Sequence, residues 1–318
     1  MNIIKTLTLV LLIVLCQYSC TSNTSSMTMI IDELPKNQTE FQQLVISQLT
    51  GAKGISTANG RNMFISSRWH PEEKQVTRSY IETLLETLNQ STEFHNYTMP
   101  NVNFGVDLLI EPLKGKNVYS ILKATNPSND YVVIGAHYDT GGINVPGAID
   151  NGSGMALILS VFRRLQELDH RNKNVIIVFF DQEEEDISAG SRAFARFLLK
   201  SGYNIHSVHT FDLIGWDSDG NREVEIALPS TEIEQLYKKH ALKLNIPIYV
   251  SKVESTDHFS FIRKGMNAHC LSQAFAKGDN SGKKDTPEDT YDLVNFDFLN
   301  STTNLAYEAI KDILHEYK

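Results

Sequence analysis

From residue 106 onward the chain alternates short, continuously apolar runs with stretches whose apolar residues recur every three or four positions. The runs 118–122, 131–136, 175–180, 207–213, 224–228, 248–253 and 267–271 read as strands. The stretches 156–167, 191–200, 231–244, 258–264 and 295–317 read as helices. A strand that is apolar on every position must be buried on both faces, and helices alternating with such strands are the natural cover. The pattern therefore predicts one α/β domain built on a largely parallel sheet.

Upstream, 39–49 and 72–88 have helical spacing, with Pro71 at a favoured first-turn position and 51–62 as loop between them. The 318 residues are 41% hydrophobic with a net charge of −9, ordinary values for a globular chain. No basic stripe or aromatic–basic alternation is present, so nucleic acid is not an expected partner. No repeat of 20–50 residues points to a solenoid or propeller.

The amino terminus has a different character. Lys5 precedes an apolar run over 7–16, followed by Ser19-Cys20. This describes an export signal, too short for a membrane span. Ser19-Cys20 resembles a bacterial lipobox, whose cysteine is lipidated and becomes the new terminus. The expected organisation is a signal peptide of lipoprotein type over 1–19, a Ser/Thr-rich tether over 20–30 and a catalytic domain over 31–318. The expected location is the bacterial periplasm or an outer-membrane lipoprotein, with the membrane met only through a lipid on Cys20. The only cysteines are Cys16, Cys20 and Cys270, which leaves no disulfide framework once the first is removed and the second lipidated.

Ionisable residues gather where strands end. The strand 131–136 runs into His137-Tyr-Asp139, and residues two apart on an extended segment share a side. A carboxylate behind an imidazole fixes its tautomer and improves it as a metal ligand. Gly147-Ala-Ile-Asp150-Asn-Gly-Ser-Gly154 leads into a helix, and Asp150 reads either as a helix cap or as a carboxylate bridging two cations. After 175–180 come Asp181-Gln-Glu183-Glu184-Glu185-Asp186, five acids in six positions. Carboxylates so placed repel one another unless a cation neutralises them, and one of them can bind metal while its neighbour acts as general base. Asp212 ends the next strand. One histidine with several carboxylates suits zinc, cobalt or manganese.

These motifs, in this order, resemble the zinc aminopeptidase family that also includes the glutaminyl cyclases. The resemblance runs over residues 61–318 and includes Gly190-Ser191, Asp257-His258-x-x-Phe261, Gly265 and Asp285-Thr-x-x-Asp289-Thr290. It implies a three-layer α/β sandwich with a mixed, mostly parallel sheet and two co-catalytic zinc ions. His137 and Asp212 would hold one ion and Glu184 the other, with Asp150 between them. Asp139 would orient His137, and Glu183 would be the general base. The implied reaction is hydrolysis of the N-terminal bond of a peptide with a free amino terminus.

The chain departs from the family pattern twice. An extra residue before Gly190-Ser191 leaves Glu184-Glu185 as a second register, with Glu183-Glu184 preferred because it keeps the spacing from the strand. Asp285 stands where the family's last zinc ligand is a histidine. Three arrangements are open there: Asp285 ligates, the second site is weak or empty, or His258 or His269 substitutes. With Asp285 as ligand, four carboxylates neutralise two divalent ions, so manganese or cobalt is expected to support activity comparable with zinc. Trp216 and the loop 273–284 are candidate pocket walls. A glutaminyl cyclase with one zinc is the rival activity, although Lys284 stands where animal cyclases carry tryptophan. A catalytically silent binding protein is the rival from another class.

Overall fold

The computed structural model describes residues 28–31, 33–100, 112–185 and 188–316. The expected export signal, Cys16, Cys20 and the tether up to residue 27 lie outside them. Met29 already belongs to the packed domain: it is 6% exposed and bridges antiparallel to Thr57.

In chain order the elements are α1 (Gln38–Leu49), β1 (Ile55–Ser56), β2 (Asn62–Met63), α2 (Pro71–Thr87), β3 (Glu93–Met99), β4 (Leu113–Leu122) and β5 (Asp130–His137). There follow α3 (Gly154–Gln166), β6 (Asn174–Phe180), α4 (Ala189–Ser201), β7 (Asn204–Phe211), β8 (Val224–Ala227) and α5 (Thr231–Leu244). The chain closes with β9 (Ile248–Ser251), α6 (Asp257–Ile262), β10 (Ala268–Gln273) and α7 (Phe296–His315). β1 and β2 form a two-stranded ribbon inside the region read as loop. The other strands make one sheet in the order β3-β4-β6-β5-β7-β10-β8-β9. β6, β5, β7 and β10 run parallel at its centre, whereas β3, β4 and β8 pair antiparallel with their inner neighbours.

Alternate side chains of the central strands feed two separate cores, as the two-residue period of a strand requires. Val132, Ile134 and Ala136 of β5 and Val175, Ile177 and Phe179 of β6 pack with α1, α2, α3, α5 and α7. Val133 of β5 and Ile176, Val178 and Phe180 of β6 pack against Phe194, Ala195 and Leu198 of α4 and Phe261 of α6. The result is the three-layer α/β sandwich with a mixed, mostly parallel sheet. Helix starts are set locally: the side chains of Asn37 and Asn295 accept N–H groups of Glu40 and Phe298, each at 3.0 Å.

Register places the chemistry. His137 on β5 lies level with Phe180 on β6, and Gly135 lies level with Thr210 on β7. Two residues beyond that second pair are His137 and Asp212, so parallel strands deliver both to the same edge of the sheet. Ligand sites in open α/β sheets gather at these carboxyl ends.

Candidate metal centre

His137 is the last residue of β5 and is 1% exposed. Its Nε2 lies 3.1 Å from Asp150 Oδ1 and 3.5 Å from Asp212 Oδ1, while Nδ1 lies 3.5 Å from Asp139 Oδ1. Asp139 is completely buried, and its two oxygens accept the backbone N–H groups of Glu183 (3.0 Å) and Glu184 (3.1 Å). Asp139 thus serves both sides: its carboxylate holds the turn that carries the two glutamates, and its backbone carbonyl, at 3.3 Å, and Oδ1, at 3.5 Å, face His137 Nδ1.

Asp150 sits in the connection between β5 and α3, where the Asp150–Asn151 peptide is cis. Asp289 accepts the N–H groups of Ile149 (2.9 Å) and Asp150 (3.0 Å) through its two oxygens. Asn151 bridges the start of α3 to β7, donating to the Phe211 carbonyl and accepting the Gly154 N–H. A Cβ at Gly154 would stand 2.2 Å from Asn151 Oδ1 and 2.5 Å from the Phe211 carbonyl, which explains the glycine. Beneath, the fully buried Arg68 donates to the carbonyls of Leu49, Tyr138, Pro146 and Gly147 at 2.6 to 3.0 Å. It ties the His137–Asp139 segment to the Asp150 loop.

Four buried polar atoms converge in this site without a satisfied hydrogen bond, His137 Nε2, Asp150 Oδ1, Glu184 Oε1 and Asp212 Oδ1; the 3.1 Å approach of Nε2 to Asp150 Oδ1 sets lone pair against lone pair while His137 is neutral. Buried polar groups are almost always satisfied, so a convergent set of orphans marks a missing partner. All four carry lone pairs when His137 is neutral and the acids are ionised, and the missing partner is therefore a cation. Ligand atoms of His137, Asp150 and Glu184 lie within 4.8 Å of one another, a compact donor set. One imidazole and hard oxygens are the ligand chemistry of zinc, cobalt or manganese.

Electrostatics agree. Burial opposes a charged imidazole, yet Asp139, Asp150 and Asp212 overcome it and hold His137 well above the usual histidine range. Burial, reinforced by the charge of Asp150, pushes Glu184 up to about 10. Burial also lifts Glu183 to about 7, helped by Asp212, Asp139 and Asp150 and opposed by His137. Without a divalent cation, protons take over the neutralising role.

The segment 117–310, which carries His137 through Asp289, matches Peptidase family M28. The chain belongs to that family. Among curated proteins, this M28 chain is 31% identical over 218 residues to leucine aminopeptidase 1 of Uncinocarpus reesii, covering 60% of this chain and 54% of that protein. It is 27% identical over 220 residues to aminopeptidase Y of Saccharomyces cerevisiae, covering 65% of this chain and 38% of that one. The chain thus spans about half the length, or less, of these curated relatives. In fold it is similar to BSAP, a zinc aminopeptidase from Bacillus subtilis, with TM-score 0.74 and 15% identity over 90% of this chain and 97% of that one. It is also similar to the glutaminyl cyclase of Bacteroides thetaiotaomicron, with TM-score 0.68 and 15% identity over 90% of this chain and 100% of that one.

Not every residue singled out in this M28 sequence sits as expected. Glu185 turns away from the cluster and pairs with Lys74, beside Asp181. That geometry leaves Glu183 and Glu184 as the pair facing the site. Asp285, like Asp212, is outside the compact set of His137, Asp150 and Glu184; its backbone has φ +59°, and its carboxylate lies against Gly141 and pairs with Lys284 at 3.1 Å. His258 does not replace it, because its nitrogens meet Thr256 Oγ1 and the Val253 carbonyl. His269 stacks edge-on against His209 and Tyr237. Trp216 packs on the larger core, and Phe275 and Lys284 of the 273–284 loop line a cavity of about 310 Å³ beside Glu183, Glu184 and Asp212. The contributions of Arg68, Asp289 and Lys284 were not legible in advance. Asp289 lies in the family-like segment Asp285-Thr-x-x-Asp289-Thr290, whereas nothing near Arg68 in sequence marks it.

Proposed function

We propose that this protein is a metallo-aminopeptidase, hydrolysing the N-terminal bond of peptides with a free amino terminus. The observation that carries the reading is the convergence of four orphaned, buried ligand atoms next to the Glu183 carboxylate. His137, Asp150, Asp212 and Glu184 would hold zinc through those atoms, with manganese or cobalt as candidate substitutes for a set with one histidine. A bound zinc ion supplies Lewis acidity that polarises the scissile carbonyl and acidifies water.

The remaining chemistry belongs to the chain. Glu183 takes the proton of the attacking water at its carboxylate and returns it to the leaving amine. Ser188 Oγ donates to Glu183 Oε1 at 3.0 Å and fixes that carboxylate over the cavity. Asp139 keeps Nδ1 of His137 engaged, so that Nε2 presents its lone pair. Burial keeps bulk water from screening these interactions. The pattern over 1–19 supports export, with substrates met outside the cytoplasm and the enzyme held by a lipid on Cys20.

Glutaminyl cyclisation is the second reading. Asp257, buried and held well above the usual carboxylate range by burial and by the neighbouring Glu183, keeps a proton beside the site. Cyclisation of N-terminal glutamine needs such an acid to release ammonia. Assaying the zinc-loaded protein on a leucyl anilide and on an N-terminal glutamine peptide separates the two. Release of the aniline from the leucyl substrate without pyroglutamate supports the aminopeptidase reading, and pyroglutamate alone overturns it. Inactivity on both, with metal bound, favours a silent binding protein.

A further inference from the structure

We infer that Lys284 supplies the second positive charge of this centre, so that the protein holds one metal ion per chain and not two. The inference rests on the metal-centre reading above. Its basis is how the two oxygens of Asp150 are shared out. Oδ1 faces His137 Nε2 at 3.1 Å and is one of the orphaned atoms. Oδ2 is taken by Lys284 Nζ at 2.7 Å. A carboxylate can bridge two cations through its two oxygens, and here the second oxygen already meets an ammonium.

The surroundings favour the ammonium. Lys284 reaches inward to the cavity edge, where its Nζ pairs with Asp150 Oδ2 at 2.7 Å and with Asp285 Oδ2 at 3.1 Å. Asp285, the residue expected to complete a second metal site, is turned against Gly141 and pairs with the same Nζ at 3.1 Å. A second divalent ion would need Asp150 Oδ2 and would sit against a fixed positive charge.

The charge around Asp150 is already shared out: Oδ1 is left for one divalent cation and Oδ2 is held by the ammonium. The substitution also changes chemistry. An ammonium donates hydrogen bonds and offers no Lewis acidity, and of its three donors two are accounted for by Asp150 and Asp285. The third is available to an oxygen entering the cavity.

The test counts ions. Full-length protein is stripped with chelator, reloaded with excess zinc, desalted and analysed by native mass spectrometry and elemental analysis. Wild type is expected to hold one zinc per chain, and Lys284→Arg the same. Lys284→Ala is expected to take up a second, weaker ion, seen as a second phase in calorimetric titration. Two ions in wild type, or a single unchanged phase in Lys284→Ala, overturn the inference and leave the metal-centre reading intact. No ion in wild type overturns both. Circular dichroism of each variant confirms that the fold is kept, and the wild-type count stands without any variant.

Discussion

Asp139 stands 3.5 Å behind His137 Nδ1 while its two oxygens accept the N–H groups of Glu183 and Glu184. Three groups of the site are therefore set by one carboxylate. In Asp139→Asn one oxygen becomes an amide NH2, which at either end faces an N–H of the turn, that of Glu183 or that of Glu184, so one of these bonds is lost. Loss of such a supporting partner weakens metal binding by roughly 10–100-fold. Chelator competition with zinc measures it; affinity equal to wild type would show that His137 needs no such support.

Glu183→Gln should separate binding from chemistry. Glutamine keeps the shape and can still accept from Ser188 Oγ, a bond of 3.0 Å in the native site, but it cannot take a proton. We expect kcat to fall by about 10²–10⁴-fold with zinc content unchanged, the range for loss of a positioned general base. Turnover close to wild type would move that role to another residue.

How much of this was legible beforehand depended on burial. β5 and β6 are buried on both faces, so their apolar runs could be read directly, and with them the sheet edge bearing His137. β3 was not foreseen because it is an edge strand, exposed at Glu93, Phe94, Asn96 and Thr98, with only Tyr97 and Met99 buried. An edge strand has no second apolar face to betray it. Asp285 and Lys284 show a different limit. The motif spacing placed Asp285 in a ligand's position, but the left-handed backbone there turns its side chain towards Gly141 and leaves Lys284 to reach Asp150. Spacing along a chain does not reveal which of two adjacent side chains enters a loop-built site.

Metal removal should make stability fall with rising pH. In the metal-free site Glu184 titrates at about 10 and Glu183 at about 7, both above the ordinary glutamate value of 4.5. A raised acid binds more protons folded than unfolded, so its contribution is complete below about pH 4.5 and is lost as pH climbs through the folded value. His137, also raised, acts in the same direction above its ordinary value of 6.5. Asp150, held below its ordinary value, matters only in stronger acid. The chelated protein should therefore melt at a lower temperature at pH 8.5 than at pH 5.5, and zinc should remove most of the difference. Zinc binding at pH 7.5 should also release protons, seen as a buffer-dependent calorimetric enthalpy. A chelated protein whose melting temperature rises over this interval contradicts the assignment.

Arg68 predicts a stability effect far larger than its distance from solvent chemistry suggests. Its guanidinium serves four backbone carbonyls, and Arg68→Met would leave those of Leu49, Tyr138 and Pro146 without that donor, while Gly147 keeps the Gly152 N–H. Each such loss costs about 1–3 kcal/mol, so the variant should lose about 3 kcal/mol or more. Because the same carbonyls flank His137 and the Asp150 loop, metal affinity should fall with it. Urea unfolding of the zinc-loaded variant decides the point; a loss under about 1 kcal/mol would mean that water replaces the guanidinium.

The cavity beside the metal centre predicts selectivity for uncharged side chains. Its walls include Leu213, Ala227, Val253 and Phe275, and its one buried acid away from the metal site is Glu225. Glu225 is already engaged, accepting from Ser251 Oγ and Tyr249 Oη at 2.6 Å and from the Ala276 N–H at 2.7 Å. A lysine or arginine side chain would compete with three short bonds for that charge, whereas leucine or methionine only displaces water from apolar walls. Leucyl and methionyl anilides should thus be cleaved with higher kcat/KM than lysyl or arginyl ones. Ala227→Phe adds a ring to the wall of this cavity and should raise KM for the leucyl substrate by about tenfold or more, with alanyl substrate least affected. Equal losses for leucyl and alanyl substrates would place the side-chain pocket elsewhere.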